Sequence, residues 1–102
     1  MAANNSAIVK EFLIESLESL ASIGEELTQL EKSNGNFDLL NAIFRKVHTM
    51  KGSAGFLGMK KLQIITHVAE NILDFLRDGK FKMDAEITDV LLESFDSCHD
   101  IL

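Results

Sequence analysis

His48, Lys51, Gly52 and Gly55 stand on a stretch, Lys46 to Gly58, whose apolar spacing otherwise reads as helix. A histidine can carry a proton, ligate a metal or act as a nucleophile near neutral pH. Lys51, one turn on, adds positive charge to the same side. Each glycine inside a helix costs about 0.5 to 1 kcal/mol relative to alanine, so Gly52 and Gly55 need a reason. At about 100° per residue, His48 falls at the border of the apolar stripe, and the two glycines flank the direction in which it points. Two readings stay open: the glycines clear a path for a partner surface or a phosphate, or they let a second helix pack closely.

A second cluster lies on the next amphipathic stretch, where His67 and Glu70 are one turn apart on one face. A turn centred near Gly58 makes the two stretches a hairpin, and at about 1.5 Å of rise per residue it brings His48 and His67 to almost equal height. Glu70 is a further two rungs along. Two histidines, a carboxylate and a lysine are therefore expected on one ledge. Zinc would want His48, His67 and Glu70 with an open position, but the Lys51 ammonium is a poor neighbour for a cation. A bundle di-metal site needs more carboxylates and the order Glu-x-x-His, the reverse of His67 to Glu70. No metal is expected. The set best suits a nucleophilic histidine: Glu70 accepts a proton from one ring nitrogen of His48, the other nitrogen keeps its lone pair outward, and Lys51 offers charge to a phosphoryl oxygen. The sequence leaves open which nitrogen meets the carboxylate. Ser53, Thr49 and Ser94 lack the base and orienter of a hydrolase, and Cys98 beside His99 reads as incidental.

The elements that position these residues follow from periodicity. The chain has 102 residues, 46% of them apolar, with six Gly and no Pro, Trp or Tyr, which leaves few strand or turn signals and predicts an all-α domain. The first helix is predicted over Ala7 to Lys32, with Leu13, Leu17, Leu20, Ile23, Leu27 and Leu30 as its stripe. The turn Ser33 to Asn36 follows, Asn36 capping a second helix over Phe37 to Leu57 through Leu40, Ile43, Phe44, Val47, Met50 and Ala54. Gly58 ends it. A third helix is predicted over Lys60 to Arg77 through Leu62, Ile65, Ala69, Ile72, Leu73 and Leu76, stopped by Gly79. Asp84 caps a fourth, with Ile87, Val90, Leu91 and Phe95. Four amphipathic helices joined by short turns predict an antiparallel up-and-down four-helix bundle forming one domain over residues 1–102.

Charge and cysteine content narrow the function. The net charge is −6, yet residues 34–66 hold Arg45, Lys46, Lys51, Lys60 and Lys61 against Asp38 alone. This positive patch around His48 suits an anion or an acidic partner. Nucleic acid is disfavoured and not expected as a partner, because an acidic chain without interleaved aromatics lacks the electrostatic footprint. The lone Cys98 precludes an internal disulfide and predicts a reducing, cytoplasmic setting. No apolar run nears the roughly 18 residues needed to span a bilayer, so no membrane insertion is expected.

The stretches "LNAIFRKVHTMKGSAGFLG", Leu40 to Gly58, and "LQIITHVAENILD", Leu62 to Asp74, resemble the histidine phosphotransfer (HPt) domain family, and within it the N-terminal domains of chemotaxis histidine kinases. The pattern His-x-x-Lys-Gly-x-x-Gly on a helix is the most specific part; weaker likeness extends over nearly the whole chain. The resemblance implies that His48 is phosphorylated, that Glu70 orients it, and that Lys51 and His67 belong to the surrounding polar network. It also implies a phosphoryl donor on a separate ATP-binding kinase domain, with ATP and magnesium there and no cofactor here. The acceptors would be aspartates on receiver domains of CheY-like or CheB-like response regulators. The chain itself would be a phosphoryl carrier, its parent a histidine kinase. Family domains carry a fifth helix with no counterpart here, so the chain is expected to be a fragment of a longer multidomain kinase. A free-standing phosphorelay protein and a non-catalytic helical scaffold are the alternatives.

Overall fold

In the computed structural model the backbone is described for residues 2–33, 36–80 and 82–102, and side chains from residue 7 onward. Four helices follow in order: α1 (Ala2–Lys32), α2 (Phe37–Phe56), α3 (Lys60–Arg77) and α4 (Ala85–Ile101). Each packs on its neighbours in sequence, and α1 closes the ring against α4, which is the up-and-down antiparallel bundle that short connections enforce. Helix α1 has 31 residues, about 46 Å at the rise of an α-helix, and so sets the 46 Å long axis; the other two extents are 22 and 20 Å.

The helix ends are written in the residues that form them. Asn36 Oδ1 accepts a hydrogen bond from the Leu39 N–H at 3.0 Å, and Asp84 Oδ1 accepts one from the Ile87 N–H at 2.8 Å, each satisfying a donor that a helix start leaves free. Asn34 and Gly35, in the turn before α2, lie outside the described residues. Gly58 has φ 73° and Gly79 φ 76°. In both turns the residue after the glycine donates back to the helix, Met59 N–H to the Ala54 carbonyl and Lys80 N–H to the Phe75 carbonyl, each at 2.9 Å. This is the left-handed Schellman ending that a side chain at the glycine would strain.

Ile23, Leu27, Leu30, Ile43, Val47, Leu62, Ala69, Leu73 and Leu91 are wholly buried. Three expected stripes shift in detail. In α1 the buried line runs back from Leu20 through Ser16 to Phe12, while Leu17 is exposed and Leu13 only partly covered. In α4 the line is Thr88, Leu91, Phe95 and Cys98, and Val90 points outward at 44% exposure. In α3 Thr66 holds a fully buried place, with Ile65 and Ile72 at its flanks. The physical reason is common to the two threonines. Thr66 donates to the Leu62 carbonyl at 2.8 Å and Thr88 to the Asp84 carbonyl at 2.9 Å, so each hydroxyl is satisfied within its own helix and leaves a methyl for the core. Among the described residues no buried side-chain polar atom lacks a partner. Cys98 is wholly buried in the core; burial pushes its thiol up to about 11, away from the thiolate that a nucleophile needs.

Candidate functional site

The hairpin of α2 and α3 carries the site, and these two helices share the most extensive interface of the bundle. Val47, Met50 and Ala54 of α2 and Leu62, Ala69 and Leu73 of α3 are buried in the same hydrophobic core. That packing leaves position 48 on the outer shoulder of α2 and position 70 on the facing shoulder of α3. His48 Nδ1 and Glu70 Oε2 are 2.7 Å apart. Lys51 Nζ donates to the other carboxylate oxygen, Glu70 Oε1, at 2.8 Å. Glu70 is 14% exposed and Lys51 22%, whereas the His48 side chain is 63% exposed.

Which ring nitrogen is free now follows from the chemistry of the partner. Burial raises the pKa of Glu70, but hydrogen bonds from Lys51 and His48 and the charges of both outweigh it, and the carboxyl is held below its ordinary 4.5. An ionised carboxylate has no proton to give. Nδ1 must therefore carry the hydrogen and donate it, and Nε2 of the neutral ring keeps its lone pair on the side away from Glu70. The sign of the linkage is fixed by the lowered value: stability that depends on ionised Glu70 is present above 4.5 and lost as pH falls through the folded value. The difference in unfolding free energy between the wild type and Glu70→Gln is expected to shrink as pH is taken below 4.5, as chemical denaturation at successive pH values would show.

His67 does not join this pairing. It sits one turn before Glu70 on α3, exposed in a shallow groove with Gln63, Ile64 and Val68, and among the described residues its side chain makes no hydrogen bond or ion pair. Height along a hairpin brings residues level but does not fix the angle at which they leave their helices; Glu70 turns toward α2 and His67 toward solvent. The positive patch is also thinner than its sequence count. Lys46 pairs with Glu26 and Ser22 of α1 and Lys51 with Glu70, leaving Arg45, Lys60 and Lys61 exposed and outside the ion pairs of the described residues.

The two glycines part company. A Cβ at Gly52 would meet nothing within 4 Å, while one at Gly55 would lie 2.8 Å from Nε2 of the Gln63 side chain on α3. Gly52 is thus open ground beside His48, and Gly55 is where α3 comes near. Two residues not singled out for the site in the sequence also belong to its surroundings. The Phe44 ring lies 7° from parallel with the His48 ring, centroids 6.1 Å apart, and the Arg77 guanidinium stands 4.2 Å from the Phe44 centroid. Phe44 is one turn before His48, a spacing visible in the sequence; Arg77 is not, because only the crossing of α3 over α2 brings it near.

Among the described residues no three of His, Cys, Asp and Glu gather as a metal site would require. No helix of the described residues is long and apolar enough to cross a membrane.

The sequence and the fold are similar to those of known proteins. Residues 7–100 match the Hpt domain family. The chain is 42% identical over 89 residues to the sensor histidine kinase CheAY of Helicobacter pylori, covering 87% of this chain and 11% of that protein; it therefore spans about a tenth of the length of such relatives. Among solved structures, the CheA phosphotransferase domain from Thermotoga maritima superposes with a TM-score of 0.86 at 30% identity, covering 95% of this chain and 92% of that one. The phosphorylated P1 domain of CheA3, in complex with CheY6 from R. sphaeroides, gives a TM-score of 0.83 at 26% identity over 92% of this chain and 73% of that one. With a family match over nearly its whole length and the same four-helix frame as CheA phosphotransferase domains, the chain belongs to the Hpt domain family.

Proposed function

We propose that the chain is the phosphotransfer module of a chemotaxis two-component system, with His48 as the phosphorylated residue. The observation that carries this reading is the 2.7 Å contact of His48 Nδ1 with Glu70 on a side chain that is otherwise 63% exposed. In the first step the Nε2 lone pair attacks the γ-phosphorus of ATP held by a separate kinase domain; the bond from phosphorus to the bridging oxygen breaks, and ADP leaves with that electron pair. The ring then bears a positive charge, which the Glu70 carboxylate at Nδ1–H compensates. In the second step an aspartate oxygen of a response-regulator receiver attacks the same phosphorus, the P–N bond breaks, and its electron pair returns to Nε2. Lys51, one turn from His48, holds Glu70 in place and is near enough in sequence to swing to a phosphoryl oxygen. His67 is left as a residue of the contact surface.

ATP and its magnesium belong to the partner in this reading, since one exposed histidine with an orienter needs no nucleotide site of its own. The R. sphaeroides P1 domain bound to CheY6 supports a CheY-like receiver as the acceptor. A CheB-like receiver, with the same acceptor chemistry, is proposed alongside it, as is a cytoplasmic location. Incubation with ATP and a chemotaxis kinase ATP-binding domain should place one acid-labile, alkali-stable phosphate on residue 48, located by mass spectrometry; a scaffold would take up none. Gly52→Leu is expected to fold with unchanged or slightly higher stability, gaining up to about 1 kcal/mol of helix propensity, yet to slow phosphorylation, because the new side chain occupies the open ground where a partner approaches. Denaturation and rate measurements on the same preparation separate the two effects.

A further inference from the structure

A hydrogen bond at one nitrogen fixes a point of the imidazole but leaves its plane free to swing about that point. In-line attack on phosphorus needs the Nε2 lone pair aimed, so the plane matters as much as the point. The second constraint is in the structure. Phe44 lies with its ring 7° from parallel to that of His48 and 6.1 Å away, within the separation at which aromatic pairs attract in offset stacking. Phe44 is itself held: it packs against the core, and the Arg77 guanidinium sits 4.2 Å from its centroid. Arg77 has no carboxylate within ion-pair distance among the described residues, so its charge is directed to the aromatic face. Helix α3 thereby reaches His48 twice, through Glu70 onto Nδ1 and through Arg77 onto Phe44 and then the ring plane.

We propose that Phe44 and Arg77 are positioning residues for His48, setting the plane of its ring and hence the direction of Nε2; this rests on the phosphotransfer reading above. Neither touches the transferred phosphorus. Their loss should therefore lower the rate of the bound complex and not its affinity.

The test measures kcat and KM for phosphorylation by a chemotaxis kinase ATP-binding domain with ATP, together with the His48 ring-proton NMR shifts. Misplacement of reacting atoms by about 1 Å costs up to about 100-fold, and loosening one of two constraints should cost less. Phe44→Leu, which keeps apolar bulk, is expected to lower kcat about tenfold with KM within about twofold, to shift the ring-proton resonances as the neighbouring ring current is lost, and to be rescued by Phe44→Tyr. Arg77→Gln should lower kcat about threefold and move the same resonances, with partial recovery in Arg77→Lys. If Phe44→Leu unfolds, the partly exposed Arg77 carries the test alone. Wild-type kcat in both variants, or an effect of Arg77→Gln on KM alone, overturns the inference. A wild-type chain that takes no phosphate at residue 48 overturns the functional reading as well, so the two failures are distinguishable.

Discussion

His48→Gln is expected to take up no phosphate from ATP and a chemotaxis kinase domain, while its thermal unfolding stays near that of the wild type. Glutamine offers an amide nitrogen whose lone pair is delocalised into the carbonyl, so the nucleophile is gone and not merely weakened. The fold does not depend on the ring, because 63% of the side chain faces solvent and surface replacements of this kind shift stability by less than about 1 kcal/mol. Loss of at least about 1,000-fold in rate is expected, the level at which mass spectrometry sees only unmodified chain. Phosphate persisting at full stoichiometry in this variant would move the nucleophile elsewhere, to His67 or His99, and would end the assignment.

Glu70→Ala is expected to keep the bundle and slow phosphorylation by about 10- to 100-fold, a barrier increase of about 1.4 to 2.7 kcal/mol. Two losses add. Without the carboxylate the imidazole distributes its proton between both nitrogens, so part of the population has no lone pair at Nε2. The charge that compensates the phosphorylated ring is also absent. The cost to folding is small, since Lys51 at 22% exposure can turn its ammonium to water and a partly exposed ion pair stabilises by only about 0.2 to 1 kcal/mol. Rates and unfolding curves for Glu70→Ala and Glu70→Gln settle the matter. The glutamine variant keeps the shape and lacks the charge, so it should fall between alanine and wild type. An unchanged rate in both would remove Glu70 from the reaction.

Glu70 and His67 show what local pattern can and cannot say. Both occupy the same flank of α3 by spacing, and His67 is level with His48 across the Gly58 turn while Glu70 stands about 3 Å further along, yet only Glu70 meets it. The difference is one of azimuth: the buried line of α3 runs through Leu62, Ala69 and Leu73, and at about 100° per residue Glu70 lies nearer that line than His67. Thr66, Thr88 and Ser16 make the same point in the core. None of the three stands in the apolar stripes read from the sequence, yet a hydroxyl bonded to its own helix makes the two threonines acceptable inside.

Helix count, the capped starts of α2 and α4, the turn glycines after α2 and α3 and the pairing of His48 with a carboxylate were legible in the sequence alone, whereas α1 starts at Ala2 and not at the expected Ala7; capping, left-handed endings and the 3.6-residue period are local and act within a few residues. Only tertiary structure decided that Nδ1 faces Glu70 and leaves Nε2 free, that Lys51 directs its charge to that same carboxylate, that His67 stands apart, and that Arg77 lies over the Phe44 ring stacked beside His48. Those are properties of two helix surfaces meeting at a particular rotation, which the summed packing of the whole core sets and no single stretch encodes.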